Sequence, residues 1–452
     1  MSTELLITYG LTLGLLVIAI RNAHGIHLMK FPFLFAGVFV AFVLFQLIAI
    51  IQSGSYVYEV YRNTGVVSTT LILLTGSSIF GLAGYYLARP KVRRERPLFM
   101  PPTRRQERFL DLTSAALGII AIIAFFMLAR IGGGVRNYLL SGGFYSIYFE
   151  GLPTYLVFVI RFTYVSIVIQ MWLWARTRKM YHLYLGLFFG LIPMMNVLFL
   201  FRRTEVLTLG IFYGYFIINY TRIRLGRIAA VGAIAGMMVA MRLFPLLRTE
   251  EGRNSDISDL FAQALSSRET FENTEIAGAM YRIYSTSLTQ YYEYGSIFWN
   301  AFVQQFVPAS LVGSATKQGL FLRQSEFEFA YFTEQLNYLS PMGFSQAFQQ
   351  FGYYGMLLFG LIGIWVAKLE QSRYGTARGE IFLVLMVPAL LLIVGADLSL
   401  IVSKAITFGV LVYFCVPART GLLTKKADRA ARSEARARQQ ESLRASQMVE
   451  GI

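Results

Sequence analysis

Charge is scarce in this 452-residue chain: only 15% of the residues are Asp, Glu, Lys or Arg, against roughly a quarter in an average soluble domain. Set beside an apolar content of 56%, that scarcity excludes a water-solvated globular enzyme. Cysteine is nearly absent, and the one thiol, Cys415, permits neither a disulfide framework nor a thiolate metal site. Histidine is limited to His24, His27 and His182, all in or beside basic loops, so no imidazole is available as a base or metal ligand on the opposite face. There is no phosphate-binding P-loop, no HExxH, no CxxC and no nucleophile elbow. No cofactor and no metal are therefore expected. No repeat period of roughly 20–50 residues recurs, which excludes solenoids and arrays.

What the chain has in abundance is long apolar runs. Eleven are near the length a bilayer requires, over 5–20, 32–52, 66–87, 110–129, 153–175, 183–201, 204–220, 228–247, 344–367, 381–396 and 398–417. The first is read as a retained span, since no Lys or Arg precedes it and no small-residue cleavage site follows. The net charge of +16 sits mainly between the runs, which argues topology and not nucleic-acid binding. Every second connection is basic: the segments 21–30, 88–108, 176–181, 221–227, 368–379 and 418–452 hold 27 of the 41 Lys and Arg. By the positive-inside rule these face the cytoplasm, with the N-terminus outside and the C-terminus inside.

The predicted organisation is spans 1–8 over 1–247, a large outer loop over 248–343, spans 9–11 over 344–417 and a basic cytoplasmic tail over 418–452. Loops as long as the outer one are usually functional. Within it, Ile257–Phe271 and Glu275–Phe306 have helical spacing, and two or three helices are expected over the outer mouth of the bundle. Gly232 and Gly236, like Gly352 and Gly355, suit close helix packing.

A second set of cations runs against the positive-inside rule, including Arg130, Arg136, Arg161, Arg202, Arg203, Arg242, Arg248, Arg268, Arg282 and Lys404. Snorkelling to the interface accounts for Arg130 and Arg136. Arg161 and Arg242, deeper in their spans, need an acidic, carbonyl or anionic partner. Arg202 and Arg203 occupy a tight outer hairpin, and Arg248 ends the next span at the same level. Guanidinium forks bind phosphate oxygens in bidentate fashion, so this cluster suits a lipid diphosphate. Glu205 equally suits neutralisation of one of them.

With no outer histidine, acid–base work falls to a carboxylate, and Glu275 is the choice because it follows Arg268-Glu269-Thr270-Phe271 and begins an apolar run. Arg268, Arg282, Tyr281 and Gln346 are candidate substrate contacts, since tyrosine faces and buried amides suit sugars. An interfacial aromatic belt also explains the tyrosines.

The plan as a whole resembles the Wzy-type polymerases of O-antigen and related oligosaccharide repeat units. Arg203 resembles the arginine these polymerases place at the start of a span, and Arg248 the one leading into their periplasmic loop. Arg268-Glu269-Thr270-Phe271 with Glu275, and Tyr331-Phe332-Thr333 followed by Ser340-Pro341, are similar to the enterobacterial common antigen branch. That branch has an Arg-Glu pair where this chain has Gly395-Ala396-Asp397, and Asp397 with Lys404 would substitute.

The resemblance implies an all-α, polytopic membrane bundle of the glycosyltransferase C type in the bacterial inner membrane. It implies metal-independent glycosyl transfer between polyprenyl-diphosphate-linked units, with catalytic Arg203, Arg248 and Glu275. Arg202, Arg268, Arg282, Tyr281, Gln346 and Asp397 would hold substrate. The partners implied are lipid-linked donor and acceptor, membrane lipid and a chain-length-regulating co-polymerase, with no nucleic acid. A lipid-linked oligosaccharide flippase or polysaccharide exporter is the alternative, although a transporter should carry its polar residues at mid-membrane depth on several helices.

Overall fold

A backbone that crosses hydrocarbon must satisfy its own N–H and C=O groups, and a helix does this within one segment. The computed structural model describes residues 3–22, 29–52, 65–89, 102–135, 138, 152–200, 203–221, 226–248, 256, 258–259, 275–322, 342–372, 376–392 and 398–417. Among the described residues all regular structure is helical. Helix covers the described part of each of the eleven apolar runs. The first four are α1 (Thr3–Asn22), α2 (Phe31–Gln52), α3 (Val66–Ala88) and α4 (Arg104–Ile131). The fifth and sixth runs are each interrupted by one residue. They form α5 (Leu152–Ile160) with α6 (Phe162–Thr177), and α7 (Met180–Phe189) with α8 (Leu191–Leu200). Next come α9 (Arg203–Tyr220) and α10 (Arg227–Arg248), then the loop helices α11 (Glu275–Thr289) and α12 (Ser296–Phe306). The chain closes with α13 (Gly343–Phe351), α14 (Met356–Ser372), α15 (Ala377–Leu392) and α16 (Ser399–Cys415).

Among the described residues, five helical stretches are long and apolar enough to cross a membrane: Phe31–Ile48, Val66–Ala88, Arg104–Ile131, Tyr155–Thr177 and Gly343–Gln371. Their surfaces are apolar on both sides, as a lipid solvent demands. Helix α4 buries Ala121, Ala124, Phe125 and Leu128 and leaves Ile119, Ile123 and Phe126 exposed. Hydroxyls inside the runs bond back to their own helix, as Thr70 does to the Val66 carbonyl at 2.7 Å and Ser78 to that of Leu74 at 2.9 Å.

Helices α3 and α14 make the closest contact, and glycine permits it. A Cβ on Gly84 would stand 2.1 Å from the Gly360 carbonyl oxygen, and one on Gly363 the same distance from that of Gly81. In lipid, where apolar burial drives little helix association, such small-residue seams hold helices by close backbone approach. The seam is tied at one end by Tyr85, whose hydroxyl donates to Glu370 Oε2 at 2.7 Å, and at the other by the Thr69 and Tyr353 hydroxyls at 3.2 Å.

Four expectations are corrected. The run 344–367 is not one helix: α13 stops at Phe351, and Gly352, at φ +59°, opens a 3-10 turn that leads into α14. The chain folds back there so tightly that a Cβ on Gly355 would lie 2.2 Å from the Ala347 carbonyl. The helical run Glu275–Phe306 breaks at 290–295, where Gln290, Tyr294 and Gly295 take positive φ. The break meets the unpaired carbonyls at the end of α13. Glu293 N–H donates to Gln349 O at 3.1 Å and Tyr294 N–H to Gln350 O at 3.0 Å. Helix α11 does not lie over the mouth of the bundle; it is packed against α3 and α13 with Ile276, Ala279, Met280 and Ile283 fully buried. Gly232 and Gly236 face open space, so neither mediates close packing. Of Ile257–Phe271 only 258–259 are helical within the described residues, and the rest lie outside them.

Candidate functional site

Two polar groups converge on the loop side of the bundle. The first forms where the α5–α6 junction, the start of α9 and α16 meet. Arg161 occupies the junction, and Tyr164, one turn on, donates its hydroxyl to Glu205 Oε2 at 2.6 Å. Glu205 sits in the first turn of α9, where its negative charge complements the helix dipole. The Tyr164 ring stands edge-on to Phe212 and to Phe408. Lys404, one turn from Phe408 on α16, lies within electrostatic reach of both Glu205 and Arg161. Lys404 thus feels one carboxylate and one cation in a low-dielectric setting, where buried charge requires compensation.

A loop helix reaches this group. The end of α12 places Phe306 edge-on to Phe158, three residues before Arg161, with ring centres 6.1 Å apart. Gln305 Nε2 approaches Thr407 Oγ1, three residues after Lys404, at 3.5 Å. The loop therefore forms a wall beside the cations.

The second group is a buried amide seam between α11, the 290–295 break and α13. Arg282 Nη1 donates to Gln349 Oε1 at 2.9 Å, and Gln349 Nε2 donates onward to Glu293 Oε1 at 2.9 Å. The amide dipole is thereby aligned from cation to carboxylate. Glu293 Oε2 also accepts from Gln350 Nε2 at 2.7 Å and Ser296 Oγ at 3.1 Å. At the start of α11, Glu275 Oε2 accepts from Gln46 Nε2 at 2.9 Å, and Gln46 Oε1 in turn accepts from the Ile276 N–H at 2.7 Å. Gln346 Oε1 accepts the Leu398 N–H at 2.7 Å, anchoring α13 beside the start of α16.

No protein-family model, curated protein or solved structure matches this chain. The site is therefore read from its own chemistry.

Among the predicted site residues, Glu275, Arg282 and Gln346 are buried and Tyr281 is half-buried, and all four lie on the two helices that form the amide seam. Gln346, expected as a substrate contact, finds a partner within the protein, as do Gln349 and Gln350 on the same helix. Arg203 begins α9, two residues before Glu205, and Arg248 ends α10. Their side chains, like the whole of Arg202, Arg268 and Asp397, lie outside the described residues. Glu205 bonds to Tyr164 and not, among the described residues, to an arginine.

Sequence reasoning passed over Gln46, Tyr164 and Glu293. Gln46 had a signal, since an amide inside the apolar run of α2 is costly without a partner. Glu293 and Tyr164 had none, because a long-range bond decides each.

The opposite end of the bundle is tied by buried charge. Glu380 accepts from Arg176 Nη2 at 2.7 Å, from Trp172 Nε1 at 3.0 Å, from Tyr215 at 3.2 Å and from Tyr220. Nearby, His182 is fully buried, with Nδ1 2.7 Å from Gln170 Oε1 and Nε2 3.3 Å from Glu107 Oε1. Burial holds its imidazole below the usual range, against the pull of Glu107.

Proposed function

We propose that this protein polymerises polyprenyl-diphosphate-linked oligosaccharide repeat units at the outer face of the bacterial inner membrane. The observation that carries the reading is the cation group of Arg161 and Lys404 beside the start of α9, walled by a helix of the long loop. In this reading the chain crosses the membrane eleven times as a glycosyltransferase C-like bundle, with the N-terminus and the 248–343 loop outside.

The acceptor hydroxyl attacks C1 of the donor's reducing-end sugar, a new C1–O bond forms, and the C1–O bond to diphosphate breaks. Polyprenyl diphosphate leaves with the bonding electrons. Arg161, Lys404 and Arg203 stabilise its growing charge, which is electrostatic preorganisation. Glu275, or another loop carboxylate, takes the hydroxyl proton. Lipid-linked donor and acceptor are the substrates, and a chain-length-regulating co-polymerase is the fitting protein partner.

The alternative is a flippase or exporter, for which the buried Arg176–Glu380 pair at the opposite end would have to part as a gate. The experiment that separates the two uses purified protein and authentic lipid-linked units in detergent, with no nucleotide, ion gradient or added divalent metal. Dimers and longer oligomers are expected. Absence of chain growth, together with movement of the same lipid across sealed vesicles, would replace the polymerase with the transporter.

A further inference from the structure

The loop carries eleven carboxylates between 250 and 334, yet none falls within 294–325. That gap coincides with a distinct structural unit. After α12 the chain turns at Pro308 and runs back along the same helix. Lys317 Nζ donates to Gln304 O at 3.0 Å and Trp299 Nε1 to Leu320 O at 2.8 Å. Asn300 clasps Leu322 through both its backbone groups, at 2.9 and 3.0 Å. The returning limb is thus held in place, and its apolar side chains still point outward. Leu311 is 81% exposed and Leu322 52%, and Val312, Leu320 and Phe321 are exposed beside them.

An acid-free, apolar and rigidly held limb is a poor surface for water. Its depth is set by α12, whose end touches Phe158 and Thr407. Phe158 belongs to the candidate span Tyr155–Thr177, and Thr407 lies about 12 Å along α16 from Ser399 at the helical rise per residue. Both contacts fall below the ends of the apolar helices.

We propose that residues 309–322 form an interfacial anchor. Its leucines and phenylalanine enter the acyl boundary of the leaflet on the loop's side, while the half-exposed Trp299 meets the headgroups. The occupant of this surface is lipid. The inference goes beyond the polymerase reading and stands whether or not that reading holds.

The test places single cysteines at Leu311 and Leu322 in a Cys415→Ala chain, reconstituted in lipid nanodiscs and spin-labelled. Leu361→Cys, on the exposed face of α14, serves as the lipid reference and Asp256→Cys as the aqueous one. Collision with oxygen over a water-soluble nickel chelate should match the Leu361 reference at both positions. A ratio matching Asp256 overturns the anchor. Protection from both relaxants also overturns it, because a protein partner would then cover the limb. Should the cysteine variants fail to fold, carbene labelling of the unmodified chain gives the same decision. Labelling of 309–322 from a lipid-borne diazirine sustains the anchor, and labelling only from a water-soluble one refutes it.

Discussion

Arg161 is legible in the sequence as an arginine too deep in its span to be without purpose; Lys404 is legible only as a cation on the wrong side. Tertiary packing gives them a common place by bringing Lys404 within electrostatic reach of both Arg161 and Glu205. A charge-assisted hydrogen bond is worth about 1.5–3 kcal/mol, so removing either cation should cost roughly 10- to 100-fold in chain formation. Arg161→Met and Lys404→Met, which keep bulk and remove charge, are therefore expected to make short products while accumulating normally. Normal chain lengths from both, measured by gel electrophoresis of the glycan, would move the diphosphate site elsewhere. Glu275 belongs to a different class of prediction. Glu275→Gln keeps the shape and the acceptor toward Gln46 but removes the proton-accepting charge, so kcat should fall with KM little changed. Unchanged turnover would exclude Glu275 as the base and leave the reaction class intact.

At the scale of the element, the α3–α14 seam shows why glycine positions cannot be ranked from sequence. Gly81, Gly84, Gly232, Gly236, Gly360 and Gly363 all lie in apolar helices, yet only the α3 and α14 glycines meet a facing backbone. Gly84→Val should overpack the seam, cost about 1–3 kcal/mol and lower the temperature at which the purified protein loses its monodisperse peak in size-exclusion chromatography. Gly232→Val, which enters open space, should leave that temperature unchanged. Equal loss in both would mean that the two helices are not held by close backbone approach. The broken helices follow the same logic. The apolar period of 344–367 continues through Gly352, but the turn there packs against Tyr292, and the α13 carbonyls it frees are taken by the Glu293 and Tyr294 N–H groups, all from another part of the chain.

For the whole molecule, the alternation of basic and non-basic connections makes a prediction that no packing detail can alter. Reporters fused after Arg94 and at the C-terminus should be cytoplasmic, and one inserted within 253–260 should lie outside. A cytoplasmic signal at 253–260 would invert the orientation and remove the outer-face site with it. The all-helical class and the membrane setting were legible because they depend on composition and run length, quantities that survive any rearrangement of the helices. The sequence by itself determined which stretches are apolar, where the basic connections fall, and that the chain carries one thiol and three imidazoles. Only the tertiary structure decided that α11 is buried and that α12 packs against Phe158 of α5 and Thr407 of α16. It alone pairs Glu275 with Gln46 and Arg282 with Glu293 through one amide. The physical reason is that a helix's solvent preference is a local sum over its residues, whereas the partner of a buried charge is chosen by chain segments tens to hundreds of residues away.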